Sequence, residues 1–327
     1  MKAQPTTQTE SPKMTANVIL RSLQTIHRRM GYPLGKIHYK IQGIRQQLKE
    51  SGSPTRYVRG IVYRIINLRE GVTRRIRAGT LTKNLNPAIV GHVKELGEEG
   101  FSYFTEQIDP KLMQELNTYY DEVISKRSAT ATSYESHPFF FPLIRQEDLT
   151  TDNILVRFAL QDSITQALTA HFGSVPYLSG IYVTESRSVE TVGLLGSQQW
   201  HLDYSWWNSD QVFLWVYLTD VNSLDQGPFT FIPIPGSRKV KNDFFPRRIQ
   251  DEEIEAAGLT SQIKNAFGAR STAFFINSYK CYHMGSRLAK GEKRVAYMIS
   301  YTKPAKEQNL IKITTPVPEH KKLLVSR

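Results

Sequence analysis

Cysteine is nearly absent: Cys281 is the only one in 327 residues. One thiol cannot build an intramolecular disulfide, a four-cysteine zinc site or an iron–sulfur cluster. No uninterrupted apolar run approaches the roughly 18 residues of a membrane-spanning helix. The first 15 residues are polar and lack the apolar stretch of a secretory signal. These absences point to a soluble, cytoplasmic protein. With 40% hydrophobic and 11% aromatic residues the chain can still bury a sizeable core, which excludes wholesale disorder. Its length suits two average domains, or one barrel with an appendage.

Acidic residues are scarce in one place only. Residues 1–90 hold 17 Lys and Arg against three acids, Glu10, Glu50 and Glu70, a net +14. The remainder holds 25 basic and 27 acidic residues, a net −2, so the overall +12 describes the N-terminal quarter. Two differently built regions follow, a basic helical extension over 1–90 and a main domain over 91–327. Ile19, Leu23, Ile26 and Met30, then Ile37, Ile41, Ile44 and Leu48, recur at helical spacing on either side of Gly31-Tyr32-Pro33. After the break at Ser51-Gly52-Ser53-Pro54, a second stretch sets Tyr57, Val58, Ile61, Val62, Ile65 and Ile66 among seven arginines between Arg56 and Arg77. A helix apolar on one face and basic on the other can lie on an anionic membrane, so residues 16–78 are a candidate for peripheral membrane contact. It can also dock on the main domain and leave its charges in water. Nucleic acid is the least supported partner, because no helix-turn-helix, zinc-finger or RNA-binding sheet signature accompanies the charge.

From about residue 95 the pattern changes. Gly100–Phe104 reads as a short strand, Asp109-Pro110 opens a helix, residues 127–150 read as a loop and residues 161–173 as a helix. Strand-like segments follow at Ile181–Ser186, Gln211–Thr219, Pro228–Ile232, Thr272–Ile276 and Arg294–Thr302. Short strands with Gly and Pro turns, preceded by helices, suggest a two-sheet β core with helices outside.

The chemistry concentrates at Trp200-His201-Leu202-Asp203. Residues i and i+2 of an extended segment share a side, so His201 and Asp203 present an imidazole and a carboxylate to one point. His283, after the apolar strand Ala273–Ile276, could supply a third ligand. Two histidines and one carboxylate on one face of a metal leave adjacent positions open, which suits non-haem Fe(II) enzymes. An isolated H-x-D also fits a hydrogen-bonded histidine at a turn. The surroundings add Trp215 within Phe213-Leu214-Trp215-Val216-Tyr217, then Asp225-Gln226-Gly227-Pro228, Ile234-Pro235-Gly236-Ser237, and Arg294 eleven positions beyond His283.

In that order these elements resemble the phytanoyl-CoA dioxygenase family of Fe(II)- and 2-oxoglutarate-dependent oxygenases. Gly100-Phe101 and Ile108-Asp109-Pro110 are similar to the family's opening strand and helix, so the resemblance covers roughly residues 95–303. It implies an α+β, mainly β fold: a double-stranded β-helix (jelly-roll, cupin-like) core with flanking helices. It implies Fe(II) held by His201, Asp203 and His283, with 2-oxoglutarate and O₂ as cosubstrates. Arg294 corresponds to the cation under the far carboxylate of 2-oxoglutarate. A guanidinium suits that task because it is always charged and can bind a carboxylate bidentately; an arginine at a strand mouth can also simply face solvent. Trp215 corresponds to the family's pocket tryptophan, or is core. Tyr204, Trp206 and Trp207 line the substrate side or pack the sheet, and Cys281 reads as a buried thiol. Arg238 stands where the family usually has His after Pro-Gly-Ser, and Met284-Gly285-Ser286-Arg287 departs from the usual wording. The implied activity is hydroxylation of an unactivated C–H bond in a small-molecule, acyl-CoA or lipid- or sugar-linked substrate. Halogenation would need a chloride in the place Asp203 takes. A zinc hydrolase leaves Arg294 unexplained, and a non-catalytic jelly-roll protein docking through its basic arm leaves the complete ligand set unexplained.

Overall fold

Alternating side chains along two central strands set the architecture. In the computed structural model, β4 (Gln211–Tyr217) and β9 (Lys293–Thr302) pair antiparallel inside a six-stranded sheet. Val212, Leu214 and Val216 of β4 and Val295, Tyr297, Ile299 and Tyr301 of β9 share one apolar cluster. Trp215, Tyr217 and Ala296 belong to another. Successive strand residues point to opposite faces, so each of these strands serves two cores. The structure describes residues 68–135, 137–189, 193–203, 211–240, 248–285, 287–302, 313, 316–317 and 321–325. The chain forms two compact units, Met1–Ile66 and Asn67–Arg327, and all described residues belong to the second. The helical stretches expected before residue 68 lie outside them.

The larger sheet runs β1 (Phe101–Tyr103), β7 (Ala273–Ile276), β4, β9, β3 (Tyr177–Arg187) and β2 (Phe140–Pro142), antiparallel at every pairing. The smaller runs β6 (Lys264–Ala266), β5 (Phe229–Phe231) and β8 (His283–Met284). Single antiparallel bridges, His201 with His283 and Trp200 with Ile249, extend it beyond β8. Phe101, Trp215, Phe229, Phe231 and Phe274 fill the space between the sheets. This is the jelly-roll, or double-stranded β-helix, of an α+β protein dominated by its β core.

The outer face of the larger sheet is covered by helices. Helix α2 (Pro87–Glu98) starts at Asn86, whose side chain accepts from the Ala88 N–H, with Pro87 at the first turn. Helix α3 (Pro110–Tyr119) repeats the device with Asp109 and Pro110. Both use a cap that satisfies an orphan N–H and a proline whose missing donor costs nothing there. Ile89, Leu96, Met113 and Leu116 then pack with α4 (Ile154–Ala159) and α5 (Asp162–Phe172) in the outer cluster. The expected loop over 127–150 contains edge strand β2. Helix α4 has no periodicity to read, because Ile154, Leu155, Val156, Phe158 and Ala159 are all buried.

Residues 68–90, counted with the basic extension on charge, pack within the second unit. Helix α1 (Leu68–Leu81) buries Ala78 and the whole of Arg74. The Arg74 guanidinium lies 3.5 Å from the centroid of the Tyr177 ring and donates to the carbonyls of Val175, Pro176 and Leu323. It thereby ties α1 to the start of β3 and to the short helix Lys322–Val325. Removing a donor that satisfies buried carbonyls costs about 1–3 kcal/mol per group left unpaired. Arg74→Ala is therefore expected to lower the stability of the second unit by about 3 kcal/mol, measured by urea unfolding. A midpoint equal to that of the wild type would show that α1 is dispensable to the core.

Candidate active site

His201 and His283 face each other across one antiparallel bridge. The His201 N–H donates to the His283 carbonyl at 2.9 Å and the His283 N–H to the His201 carbonyl at 3.0 Å. Directly paired residues project to the same side of a sheet, and the two imidazole centroids stand 4.2 Å apart. Asp203 is held by its own N–H, which donates to the Ser278 carbonyl at 3.0 Å. Its carboxylate oxygens lie 3.6 Å from Nε2 of each histidine. One ligand atom from each of the three residues falls within 4.8 Å of the others.

The proton arrangement suits a metal. His201 Nδ1 lies 2.8 Å from the Gln199 carbonyl, and His283 Nδ1 lies 3.0 Å from the Cys281 carbonyl. A carbonyl only accepts, so each ring carries its proton on Nδ1 and turns an Nε2 lone pair toward Asp203. Burial, followed by the neighbouring His283, pushes the His201 imidazole down to about 3, so it is neutral at pH 7. Two imidazole nitrogens and one carboxylate, each oriented by the backbone, fit a divalent iron ion. The histidines are almost wholly buried, while the Asp203 side chain is 34% exposed, which gives the site one open side.

Arg294 lies beneath this centre. It is 1% exposed, opens β9 opposite Ser186 of β3, and donates to the Gly227 carbonyl and to Ser186 Oγ. Its guanidinium carbon stands 5.4 Å from the Trp215 ring. Trp215 packs on Phe229 at 4.9 Å, and Phe229 stacks on His283 at 5.2 Å. A Cβ placed on Gly285, two residues past His283, would lie 3.8 Å from Arg294 Nη2. Arg294 is thus inside the protein, linked to His283 through the rings of Trp215 and Phe229, and not at a solvent-facing strand mouth. Burial depresses its pKa, so its charge gains from an anion placed beside it. Trp215 is part of the core between the sheets, with the Arg294 guanidinium over its ring.

Other residues singled out on sequence take structural places. Trp200 is buried and its indole donates to Asp251, 2.7 Å away. Arg287 binds the same Asp251 bidentately, at 2.7 and 3.0 Å. Arg238 is exposed where α6 (Ile234–Ser237) ends, and plays no part in the triad. Cys281 is buried, its thiol pushed up to about 12 by burial. Gly100 has φ +82°, and a Cβ there would meet Cys281 Sγ at 2.2 Å, so only glycine lets β1 approach the strand that leads to His283. Tyr204, Trp206, Trp207 and Ser286 lie outside the described residues.

Sequence reasoning missed Ser237. Within Pro-Gly-Ser it looks like turn chemistry, yet its Oγ donates to the Ile232 carbonyl and accepts from the Tyr282 N–H. It therefore pins the residue immediately before His283. Nothing in the local pattern marks it, because both partners are remote in sequence or reached through the backbone.

Residues 98–278 match the family model described as Phytanoyl-CoA dioxygenase (PhyH). The match spans more than half of the chain and includes His201 and Asp203, while His283 and Arg294 follow it. The chain belongs to the phytanoyl-CoA dioxygenase family and is a 2-oxoglutarate-dependent dioxygenase that uses iron and 2-oxoglutarate. No curated protein matches it. Among solved structures it is similar to the epimerase SnoN in complex with Fe3+, alpha ketoglutarate and nogalamycin RO, at 15% identity, 66% of this chain, 83% of that one and TM-score 0.47. It is also similar to AviO1 from Streptomyces viridochromogenes Tue57, at 13% identity, 69% and 100% coverage and TM-score 0.48. EctD from S. alaskensis with bound Fe gives 13% identity, 67% and 76% coverage and TM-score 0.47. Likeness at this level carries no argument about substrate or chemistry.

Because Ser237 Oγ satisfies a buried N–H beside His283, Ser237→Ala should cost about 1–3 kcal/mol of stability. It should also weaken Fe(II) binding up to about tenfold, as loss of a supporting hydrogen bond does. Unfolding and metal titration of the same variant would read both effects. Unchanged Fe(II) affinity alongside lost stability would make Ser237 a packing residue only.

Proposed function

We propose that the protein hydroxylates an unactivated C–H bond of a small-molecule, acyl-CoA or lipid- or sugar-linked substrate. In this reading His201, Asp203 and His283 hold Fe(II), Arg294 holds the far carboxylate of 2-oxoglutarate, and Trp215 forms the wall beside it. The observation that carries it is the pair of Nδ1–carbonyl hydrogen bonds, which leaves both Nε2 atoms directed at one carboxylate. Iron with 2-oxoglutarate supplies the oxidation, in which 2-oxoglutarate and O₂ become succinate and CO₂ and one oxygen atom is left for the substrate.

The chain's own groups account for the rest. The reciprocal His201–His283 backbone pair keeps the imidazoles from rotating apart, so little reorganisation accompanies metal uptake. Arg294 offers two parallel N–H donors on a floor walled by Trp215 and by Phe229, where low polarity strengthens an ion pair. Ser186 and Gly227 fix the guanidinium plane. The exposed side of Asp203 marks the face from which a substrate approaches.

The test is 2-oxoglutarate turnover by the purified, Fe(II)-loaded full chain against a panel of metabolites, with succinate as product. Arg294→Ala should raise the apparent KM for 2-oxoglutarate about 30-fold, the equivalent of about 2 kcal/mol for a charge-assisted hydrogen-bonded pair. Its Fe(II) affinity should stay within a fewfold of the wild type, whereas Asp203→Ala should lose Fe(II). An unchanged KM in Arg294→Ala removes that residue from cosubstrate binding.

The basic N-terminal region we assign to an anionic membrane surface. Supporting this, α1 has its buried face toward the core, and on the opposite face Val72 and Ile76 are 47% and 70% exposed, with Arg75 and Arg77 exposed beside them. Apolar residues one turn apart among arginines suit the interface of an anionic bilayer, where each cation contributes about 1 kcal/mol. Co-sedimentation with phosphatidylserine vesicles at low and high salt should retain the full chain only at low salt. Ile76→Asp should reduce the bound fraction severalfold without unfolding, since the side chain is exposed. Equal supernatant recovery of both proteins at low salt would confine the arm to a structural role.

A further inference from the structure

The open side of the triad is bordered by a second arginine that the reaction as read so far leaves unused. Trp200 and Ile249 form a reciprocally hydrogen-bonded antiparallel pair, at 3.2 and 2.9 Å. Continued by one residue, that register sets Arg248 across from His201. Opposed residues of an antiparallel pair project to the same side, so Arg248 extends from the face that carries the triad. It is exposed, and one guanidinium N–H donates to the Gly196 carbonyl. Gly196 is also where His137 rests: a Cβ there would meet the His137 ring at 2.8 Å. His137 in turn stacks on Phe140, with ring centroids 5.9 Å apart.

On the next side of the opening stands Tyr182, on the inner face of β3 with Thr184 and Ser186. A cleft of about 200 Å³ lies between Tyr134 and Tyr182 and reaches Thr184. Charges register across this mouth. Burial and then the Arg248 charge lower the pKa of His137, while burial, then Tyr134, then Asp203 raise that of Tyr182. Arg287, the neighbouring cation, is bound bidentately by Asp251. The mouth thus offers the Arg248 guanidinium and the His137 imidazole, which meet at Gly196, with the Tyr182 phenol on the neighbouring strand.

We propose that Arg248, with His137 beside it, binds an oxyanion of the substrate, a carboxylate or a phosphate ester, and so holds the substrate over the open side of the triad. This rests on the oxygenase reading above and deepens it by naming a substrate class: molecules that carry an anionic group close to the carbon to be oxidised. The site is distinct from the Arg294 floor, which is buried and lies on the other sheet. Two cations at opposite ends separate the two anions that must bind together, the cosubstrate's carboxylate below and the substrate's oxyanion at the rim.

The probes are benzoate and phenyl phosphate, with benzyl alcohol as the neutral control, titrated calorimetrically into the full chain loaded with Ni(II) and saturating 2-oxoglutarate. The wild type should bind at least one of the anions about tenfold or more tightly than the alcohol, and which one it is separates carboxylate from phosphate. Arg248→Ala should erase that preference, and Arg248→Lys should keep part of it, because a point charge replaces a fork. An anion preference that survives in Arg248→Ala, or none in the wild type, overturns the proposal. So does an Arg248→Ala variant that loses thermal stability while keeping the anion-to-alcohol ratio, which would make the residue a clamp on Gly196. Failure of the wild type to retain 2-oxoglutarate with Ni(II) would overturn the oxygenase reading and this proposal with it. Retention without an anion preference overturns the proposal alone.

Discussion

Everything at the active centre depends on one backbone pairing, the reciprocal hydrogen bonds between His201 and His283. These residues are 82 positions apart, and the bridge makes them immediate neighbours with side chains on one face. Each ring is then locked by a hydrogen bond to the carbonyl two residues earlier in its own strand. Ligand geometry is thus fixed mainly by main-chain atoms, which are hard to mutate away and hard to deform. The supports gather around this pair. Ser237 holds Tyr282 on one side, and Trp200 is anchored through Asp251 on the other.

The two-sheet arrangement explains why the same centre can have a buried floor and an open rim. The larger sheet is packed on both faces, so a cation on its inner side, Arg294, is shut away from water. Among the described residues the smaller sheet is extended by single bridges at residues 200–201 and 249, and there the carboxylate of Asp203 and the side chain of Arg248 reach solvent. The aromatic layer between the sheets, Trp215, Phe229 and Phe274, keeps the floor dry and links the guanidinium to the imidazole by ring contacts. Low polarity strengthens hydrogen bonds to a charge, so Gly227 and Ser186 hold the Arg294 guanidinium firmly in this interior.

The helical shell has a different logic. Helices α2 and α3 are bounded by short-range chemistry, an Asn or Asp cap followed by proline, and at Asp109-Pro110 that local pattern was read from the sequence. Helix α4 was not, because a segment buried on every side has no polar face to set its period. Helix α1 carried a misleading signal. Its arginines group it with the basic quarter on charge, yet Arg74 is among the most buried side chains of the second unit, stacked on Tyr177 and bonded to three carbonyls. A charge count cannot tell an arginine in water from one satisfying carbonyls in a core.

By itself the sequence determined the strand and helix periods, the presence of a His-x-Asp before a strand, and an ordered set of elements specific enough to indicate the family. It also determined the candidate ligands, since only a few residues of the right chemistry stand beside apolar strands. The tertiary structure alone decided that His283 faces His201, that Arg294 is buried and not in solvent, and that Arg287 belongs to Asp251. The reason is one of range. Periodicity and capping act within a turn or a strand and leave a mark on neighbouring letters. Strand pairing and side-chain partnership act between residues tens of positions apart, through backbone groups that every residue shares.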